Sequence, residues 1–237
     1  MCCRLFRRTD MRDSSRSTDN FRWASLALAV LLKIGVAFGA EVDAGSATVL
    51  TFVEVRVEMR GHAANDLRQA ANAAREHQAS VGQTVVMQEI ARPERFAVLE
   101  REPLARLTVD ISDDLIAPPD RRLNQEFDEV PTASGPQLDT RANFYVIAHI
   151  DLAASDLSRV QKALYSLADS ARRTDGNLGF ESLQEINHPN HFNLISAWLG
   201  EAPFHSFAAS TAAREFRQAI GPLLGSPYDE RLFRRVN

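Results

Sequence analysis

The segment QEIARPERF at residues 88–96 returns 96 residues later as QEINHPNHF at residues 184–192. Five of the nine positions are identical, and the proline occupies the same place in both segments. Each segment reads as the end of a strand, a proline-containing turn and the start of a second strand. Because a repeat at a fixed spacing marks a structural unit that occurs more than once, the chain is predicted to contain two copies of one unit.

A second pair of similar segments extends this repeat. PPDRRL at residues 118–123 matches PYDERL at residues 227–232, now at an offset of 109 residues. The first copy is therefore 13 residues shorter between the two landmarks. We expect this deficit to shorten the second helix of the first copy, which leaves that copy as a structural partner or pocket wall.

Hydrophobic periodicity gives both copies the same order of elements. In the second copy we predict a strand, a helix, a hairpin, a helical region broken near Ser210 and a last strand, at residues 143–152, 155–173, 180–186 with 192–199, 203–220 and 228–236. In the first copy we predict a strand, a helix and a hairpin at residues 49–59, 63–81 and 84–90 with 96–102.

The order β-α-β-β-α-β is that of a ferredoxin-like α+β unit, with helices on one face of an antiparallel sheet. The other face of each sheet must also be covered, and the second copy is the natural cover in a tandem chain. We therefore predict tandem ferredoxin-like repeats whose antiparallel sheets pack together. The first repeat spans residues 46–130, a Pro- and Ser-containing linker spans 131–141, and the second repeat spans 142–237.

Residues 1–40 differ in composition from the remainder. Six arginines precede an apolar run at residues 24–32, Lys33 interrupts that run, and small residues close it at Gly39 and Ala40. This pattern is typical of a secretory signal peptide, which predicts export to the periplasm or the exterior. An uncleaved membrane anchor is the alternative, although Lys33 leaves neither apolar piece at the roughly 20 residues that a spanning helix needs.

Charge and cysteine content exclude several classes of function. Residues 1–40 hold seven of the 27 basic residues and three of the 31 acidic residues, so the remainder carries a net charge of −8. An acidic protein is a poor candidate for nucleic-acid binding, which needs a basic surface. Both cysteines, Cys2 and Cys3, lie in the leader, so the remainder has no thiol nucleophile.

Three short segments carry a family resemblance: Gly176–Glu181, Phe192–Trp198 and Phe204–Ser210. In these segments the second copy resembles the antibiotic-biosynthesis-monooxygenase (quinol monooxygenase-like) family. The resemblance implies a dimeric α/β barrel, which this chain could form from its own two halves. It also implies a cofactor-independent monooxygenase, with a quinol or polycyclic phenol and molecular oxygen as its substrates. Whether the whole chain forms a homo-oligomer is left open.

The chain departs from the haem-degrading branch of that family. That branch places Trp where His205 stands, a haem-ligating His where Glu215 stands, and Asn where His149 stands. We therefore expect no haem and no other cofactor.

His205 is the predicted catalytic residue. A neutral histidine suits proton abstraction from a phenol near pH 7, and His205 lies beside Phe204 and Phe207. The predicted substrate-binding residues are Trp198, His149, Tyr145, Asn193 and Phe207. For each of them a structural role is the competing interpretation: core packing for Trp198 and a cross-strand polar contact for His149.

His188 and His191 form a second pair of histidines, at a predicted hairpin tip. With no carboxylate or third ligand expected nearby, we predict that they are solvated and that the protein binds no metal. The competing function is a non-catalytic, exported binding or stress-response module that kept the barrel and lost the chemistry.

Overall fold

The computed structural model describes residues 47–77, 84–101, 111–127, 142–153 and 157–237. The predicted signal peptide or anchor (residues 1–40) and the whole of the predicted linker (residues 131–141) lie outside these residues. Of the helices that are described, none combines the length and the apolar character needed to cross a membrane.

The two halves of the described chain share the order strand, helix and three strands, and the second half adds two helices before its last strand. The first half contains β1 (Thr48–Glu54), α1 (Arg60–His77), β2 (Thr84–Glu89), β3 (Arg95–Arg101) and β4 (Asp120–Glu126). The second half contains β5 (Phe144–Asp151), α2 (Leu157–Arg172), β6 (Asn177–Glu185), β7 (His191–Trp198), α3 (Glu201–Ala208), α4 (Thr211–Ile220) and β8 (Asp229–Arg235).

The eight strands form one closed antiparallel barrel in the order β1-β3-β2-β8-β5-β7-β6-β4. Within each half the order is that of a ferredoxin-like sheet. Two seams between the halves close the barrel, since β2 pairs with β8 and β4 pairs with β6. The predicted fold, a single-chain dimeric α/β barrel, is confirmed. Its two sheets do more than pack face to face, because hydrogen bonds join their edges.

The repeated segment forms the hairpin turn of each half. The side-chain amide of Gln88 donates to the Pro93 carbonyl at 2.6 Å, and Gln184 donates to the Pro189 carbonyl at 2.7 Å. Each glutamine therefore holds the turn of its own hairpin.

The isoleucine two positions later then joins the other half. The Ile90 amide donates to the Leu232 carbonyl at 2.8 Å, and the Ile186 amide donates to the Leu123 carbonyl at 2.9 Å. Both landmark pairs of the sequence repeat thus meet at the seams.

Three apolar clusters fill the molecule. One lies inside the barrel and draws on both halves, with Leu50, Val85, Met87, Ala97, Leu99, Tyr145, Ile147, Leu183, Ile195, Ala197 and Phe233. The other two lie between the helices and the outer face of the sheet, one in each half. Because both faces of the sheet are covered, strand β5 is buried on both sides apart from His149 and Asp151.

Two predicted element boundaries gave different outcomes. The predicted strand at residues 49–59 is too long, because β1 ends at Glu54 and a helical turn at Val57–Met59 leads directly into α1. The predicted break near Ser210 is confirmed, since the Ser210 hydroxyl accepts from the Ala213 amide at 3.2 Å and caps α4. The expected short helix of the first half falls largely on residues 102–110, outside the described residues.

A buried ion pair links the halves inside the barrel. The Arg101 guanidinium donates to the Glu181 carboxylate, and the Glu181 side chain is 2% exposed. Burial lowers the pKa of Arg101, because the charged form loses its hydration. Such a pair adds little net stability, but removal of one partner leaves the other charge buried without compensation.

We therefore expect Arg101→Met to lower the free energy of unfolding by about 3–5 kcal/mol. The double variant Arg101→Met/Glu181→Leu should recover most of that loss, because no buried charge remains. Urea denaturation measures both values. Arg173→Met, which removes an exposed ion pair with Asp169, is the matched control and should cost less than about 1 kcal/mol. A loss as small in Arg101→Met as in the control would contradict the buried pairing.

Candidate functional site

The predicted site residues lie in three different environments. Trp198 and Phe207 are buried between the helices and the sheet of the second half. Tyr145, His149 and Asn193 are on the opposite face of the sheet, towards the barrel interior. His205 is on the outer surface of α3. The structure therefore brings Trp198 together with Phe207, and His149 together with Asn193, but it does not bring all six residues to one site.

The expectation that His205 faces a substrate pocket is not met. Its side chain is 58% exposed, and its Nε2 lies 3.2 Å from Oε1 of Glu201 on the same helix. The reason is helical geometry. Phe204 and Phe207, three residues apart, face the sheet, and the residue that directly follows Phe204 is turned about 100° away from that face.

A small pocket lies between the helices and the sheet of the second half, and we call it the helix–sheet pocket. Its walls are largely apolar and aromatic, with Val146, Ala148, Leu167, Phe180, Leu194, Phe204, Phe207, Ala208, Ala213 and Phe216. Trp198 supports this layer, with its ring centroid 5.3 Å from that of Phe207 and its Nε1 donating to Ser196 Oγ at 2.9 Å. The cavity measures about 30 Å³, which is room for roughly one water molecule.

Polar side chains line one side of the helix–sheet pocket: Ser196, Arg217, Tyr228 and Glu230. The Tyr228 hydroxyl donates to Glu230 Oε2 at 3.1 Å. Burial and the neighbouring Glu230 carboxylate raise the pKa of Tyr228 above its usual range, so its hydroxyl stays protonated. Arg217 donates to the Ala208 carbonyl at 2.7 Å, which ties α4 to the end of α3.

These polar residues were not predicted from the sequence, although a signal was present. Tyr228 directly precedes β8, and it alternates with Glu230 and Leu232 of that strand on the face that packs towards the helices. Arg217 lies four residues after the buried Ala213, and so on the same side of α4. A spacing of two residues from buried neighbours on the strand, and of four residues on the helix, would have placed Glu230 and Arg217 at this pocket.

A second polar region lies at one end of the barrel, and we call its second-half part the second-half mouth: His149, Glu185 and His191. Asn193 is at its buried side and donates to Glu185 Oε1 at 3.2 Å. Arg122 reaches it from the first half, with Nη1 2.8 Å from His149 Nδ1 and 3.4 Å from Glu185 Oε1. Arg122 and the three residues of the second-half mouth line an open cavity of about 280 Å³.

Burial lowers the pKa of His149, and the nearby positive charge of Arg122 lowers it further. The imidazole is therefore neutral near pH 7, and Arg122 donates to its unprotonated Nδ1.

The predicted isolation of the hairpin histidines is wrong. Glu185 Oε2 lies 3.4 Å from Nδ1 of His188 and 3.8 Å from Nδ1 of His191. His149 then approaches from β5, with its Nδ1 4.0 Å from Glu185 Oε1. The sequence alone did not reveal this cluster, because Glu185 ends β6 while His149 lies 36 residues earlier, on β5.

The first half has an equivalent mouth with different residues. Strand pairing and the sequence repeat put Phe52, Glu89 and Arg95 where the second half has His149, Glu185 and His191. We call these three residues the first-half mouth. They line a cavity of about 270 Å³, which Arg231 reaches from the second half. Glu89 Oε2 is buried with no hydrogen-bond partner among the described residues.

Comparison with known protein families identifies a domain in the second half. Residues 143–219 match the family model described as antibiotic biosynthesis monooxygenase. The second half of the chain therefore contains an antibiotic biosynthesis monooxygenase domain. The resemblance seen in the sequence is therefore confirmed for this domain, while a search of curated proteins finds no match.

Solved structures agree on the fold over both halves. A candidate monooxygenase from Fusobacterium nucleatum has a TM-score of 0.65 at 7% identity, over 81% of this chain and 94% of that protein. A candidate monooxygenase from Lactobacillus acidophilus gives 0.61 at 10% identity, over 81% and 95%. An anthrone oxidase-like protein gives 0.58 at 10% identity, over 81% and 92%. At these identities the likeness establishes the fold alone.

Burial of Glu89 predicts a pH dependence of stability. Loss of hydration raises the pKa of Glu89, and Arg231 and Arg95 only partly oppose this rise. A carboxyl with a raised pKa in the folded state favours folding below its ordinary value of 4.5 and loses that contribution as the pH rises. Relative to Glu89→Gln, the wild-type protein should therefore lose free energy of unfolding between pH 4.5 and pH 7. A difference that is flat or rises over this range, measured by urea denaturation, would contradict the assignment.

Proposed function

We propose that the antibiotic biosynthesis monooxygenase domain oxygenates a quinol or polycyclic phenol with molecular oxygen and without a cofactor, and that the reaction takes place in the helix–sheet pocket. The observation that carries this proposal is the composition of that pocket. Aromatic and aliphatic walls meet a carboxylate, a guanidinium and two hydroxyl groups on one side. An apolar cleft with a few convergent polar groups is the usual form of a small-molecule site.

Glu230 is the proposed proton acceptor. Its side chain is exposed to solvent, and the protonated Tyr228 hydroxyl donates a hydrogen bond to one of its carboxylate oxygens. Among the described residues it is the one carboxylate that lines this pocket. Proton transfer from a phenolic hydroxyl to Glu230 gives an electron-rich anion, which reduces oxygen far more readily than the neutral phenol does.

Arg217 is the proposed partner of that anion. A fixed guanidinium beside an apolar wall stabilises negative charge more than water does, because the surroundings are already oriented. The substrate supplies all the electrons. For a quinol, one oxygen atom of O₂ becomes the new hydroxyl oxygen on the ring of the quinone product, and the other leaves as water with two of the quinol's hydrogens.

Substrate entry requires movement of α3 and α4. A cavity of about 30 Å³ is far smaller than the several hundred Å³ of typical ligand pockets. The two helices are short and are joined by Ala209 and Ser210. A side-chain hydrogen bond from Arg217 of α4 to the Ala208 carbonyl at the end of α3 connects them. We propose that these helices swing away from the sheet to admit the ring system.

Oxygen uptake with a panel of reduced quinones and polycyclic phenols tests this function against the autoxidation background. Glu230→Gln should lower kcat by about 100-fold or more, the usual contribution of a general base. Glu215→Gln, which removes an exposed carboxylate from the same helical region, is the matched control and should keep the wild-type rate. Turnover at the background rate with every substrate would overturn the proposal.

His205→Ala decides between the two candidate bases. With Glu230 as the base, His205→Ala keeps most of the wild-type rate, because its side chain does not line the pocket. Loss of turnover in His205→Ala with an unchanged rate in Glu230→Gln would return the catalytic role to His205.

The small volume of the closed pocket favours a second candidate function, a non-catalytic binding module. Such a module would bind an aromatic ligand between α3, α4 and the sheet and release it unchanged. Quenching of Trp198 fluorescence by a quinol, with recovery of the intact quinol, would support this function over oxygenation.

We further propose that the protein acts outside the cytoplasm. A mature N-terminus beyond residue 39, found by mass spectrometry, would support export and exclude the membrane-anchored alternative.

A further inference from the structure

We propose that His149, Glu185 and His191, the second-half mouth, bind one divalent transition-metal ion. Each residue offers a ligand atom, and the three atoms lie within 4.8 Å of one another. Two imidazoles and one carboxylate are a donor set that suits zinc, iron(II) and related ions. This site is separate from the helix–sheet pocket, since its residues lie on the other face of the sheet.

The barrel brings the three ligands together from adjacent strands. His149 is near the end of β5, His191 begins β7 and Glu185 ends β6. In the β5–β7 pairing Asp151 is opposite His191 and His149 is opposite Asn193, while Gln184 is opposite Phe192 in the β6–β7 pairing. The three ligands therefore occupy neighbouring positions on one face of a rigid sheet.

The surrounding residues orient the ligands for a metal. Asp151 Oδ1 lies 3.3 Å from His191 Nε2, which leaves His191 Nδ1 directed towards Glu185 Oε2 at 3.8 Å. A carboxylate that holds the far nitrogen of a histidine is a frequent second-sphere feature of metal sites. Asn193 similarly donates to Glu185 Oε1 and fixes that carboxylate.

The first-half mouth indicates that the fold does not require this histidine cluster. There the same frame carries Phe52, Glu89 and Arg95, and Arg95 pairs with Glu54 at 3.2 Å. The acidic residue is present in both mouths, whereas the imidazoles occur in the second alone. The difference is therefore specific to the second-half mouth and is not a consequence of barrel closure.

Arg122 is the group that competes with the metal. Its Nη1 lies 2.8 Å from His149 Nδ1, and its Nη2 donates to Asp120 Oδ2 at 2.8 Å. For a cation to bind, the Arg122 guanidinium must move away from His149 towards the solvent, where it keeps its contact with Asp120. Removal of this positive charge should tighten metal binding. The open cavity of about 280 Å³ leaves room for water or an anionic ligand to complete the coordination.

The test is a titration of the untagged full-length protein with Co²⁺ and Zn²⁺ after removal of metal by a chelator. We expect one ion per chain, visible Co²⁺ absorption bands of a nitrogen and oxygen site, and displacement of Co²⁺ by Zn²⁺. His149→Phe, which copies the first-half mouth, and Glu185→Gln should each weaken binding by at least about 100-fold. Asp151→Asn should weaken it by about 10-fold, and Arg122→Gln should strengthen it.

Glu89→Gln is the matched control, because it makes the same change in the first-half mouth, and it should bind like the wild-type protein. Zn²⁺ should also raise Tm in the wild type and the control but not in His149→Phe. A cooperative melting transition without metal verifies that each variant is folded. The proposal is overturned by absence of saturation below roughly 1 mM. It is equally overturned by wild-type affinity in folded His149→Phe and Glu185→Gln.

Discussion

The backbone pairing between the two halves is the constraint on which the rest of this structure depends. A ferredoxin-like sheet has two open edges and one bare face, and both are unfavourable when exposed to water. Pairing of β2 with β8 and of β4 with β6 satisfies all four edges at once. The same closure seals an apolar interior that neither half could fill alone. The repeated Gln-Glu-Ile motif reflects this arrangement. Its glutamine side chain donates within the hairpin turn, and its isoleucine amide donates across the seam to the other half.

Closure by a near-symmetric pair of halves leaves two of each local environment, and the two copies are free to differ. At the barrel mouths, the first half carries Phe52 and Arg95 where the second carries His149 and His191. Phe52 separates the two regions, with the guanidinium carbons of Arg122 and Arg231 at 5.0 Å and 5.8 Å from its ring centroid. One frame therefore supports an ion-paired mouth in the first half and a histidine-rich mouth in the second, and both are compatible with the same seams.

The sequence predicted the fold well because its signals are local or repeated. Period-two and helical spacing located the elements, and the repeat required both halves to share one architecture. It did not predict which polar residues share a surface, because that depends on which face of its element each residue takes. His205 follows Phe204 in sequence and yet points to solvent, since consecutive helical residues lie about 100° apart. Glu185 and His149 belong to different strands, so only the pairing of β5, β6 and β7 brings them together. Glu230 on β8 and Arg217 on α4 are likewise distant in sequence, and the fold brings both to the lining of the helix–sheet pocket.

Hydrogen exchange at the two seams tests the central claim most directly. The amides of Ile90 and Ile186 donate across the seams to Leu232 and Leu123, so they should exchange only when the barrel opens. Their protection should match that of central amides such as those of Ile147 and Ile195, which lie in the middle of β5 and β7 within the second half. Rapid exchange at Ile90 and Ile186, with slow exchange at Ile147 and Ile195, would mean that the two sheets are not joined in solution, and it would contradict the closed barrel.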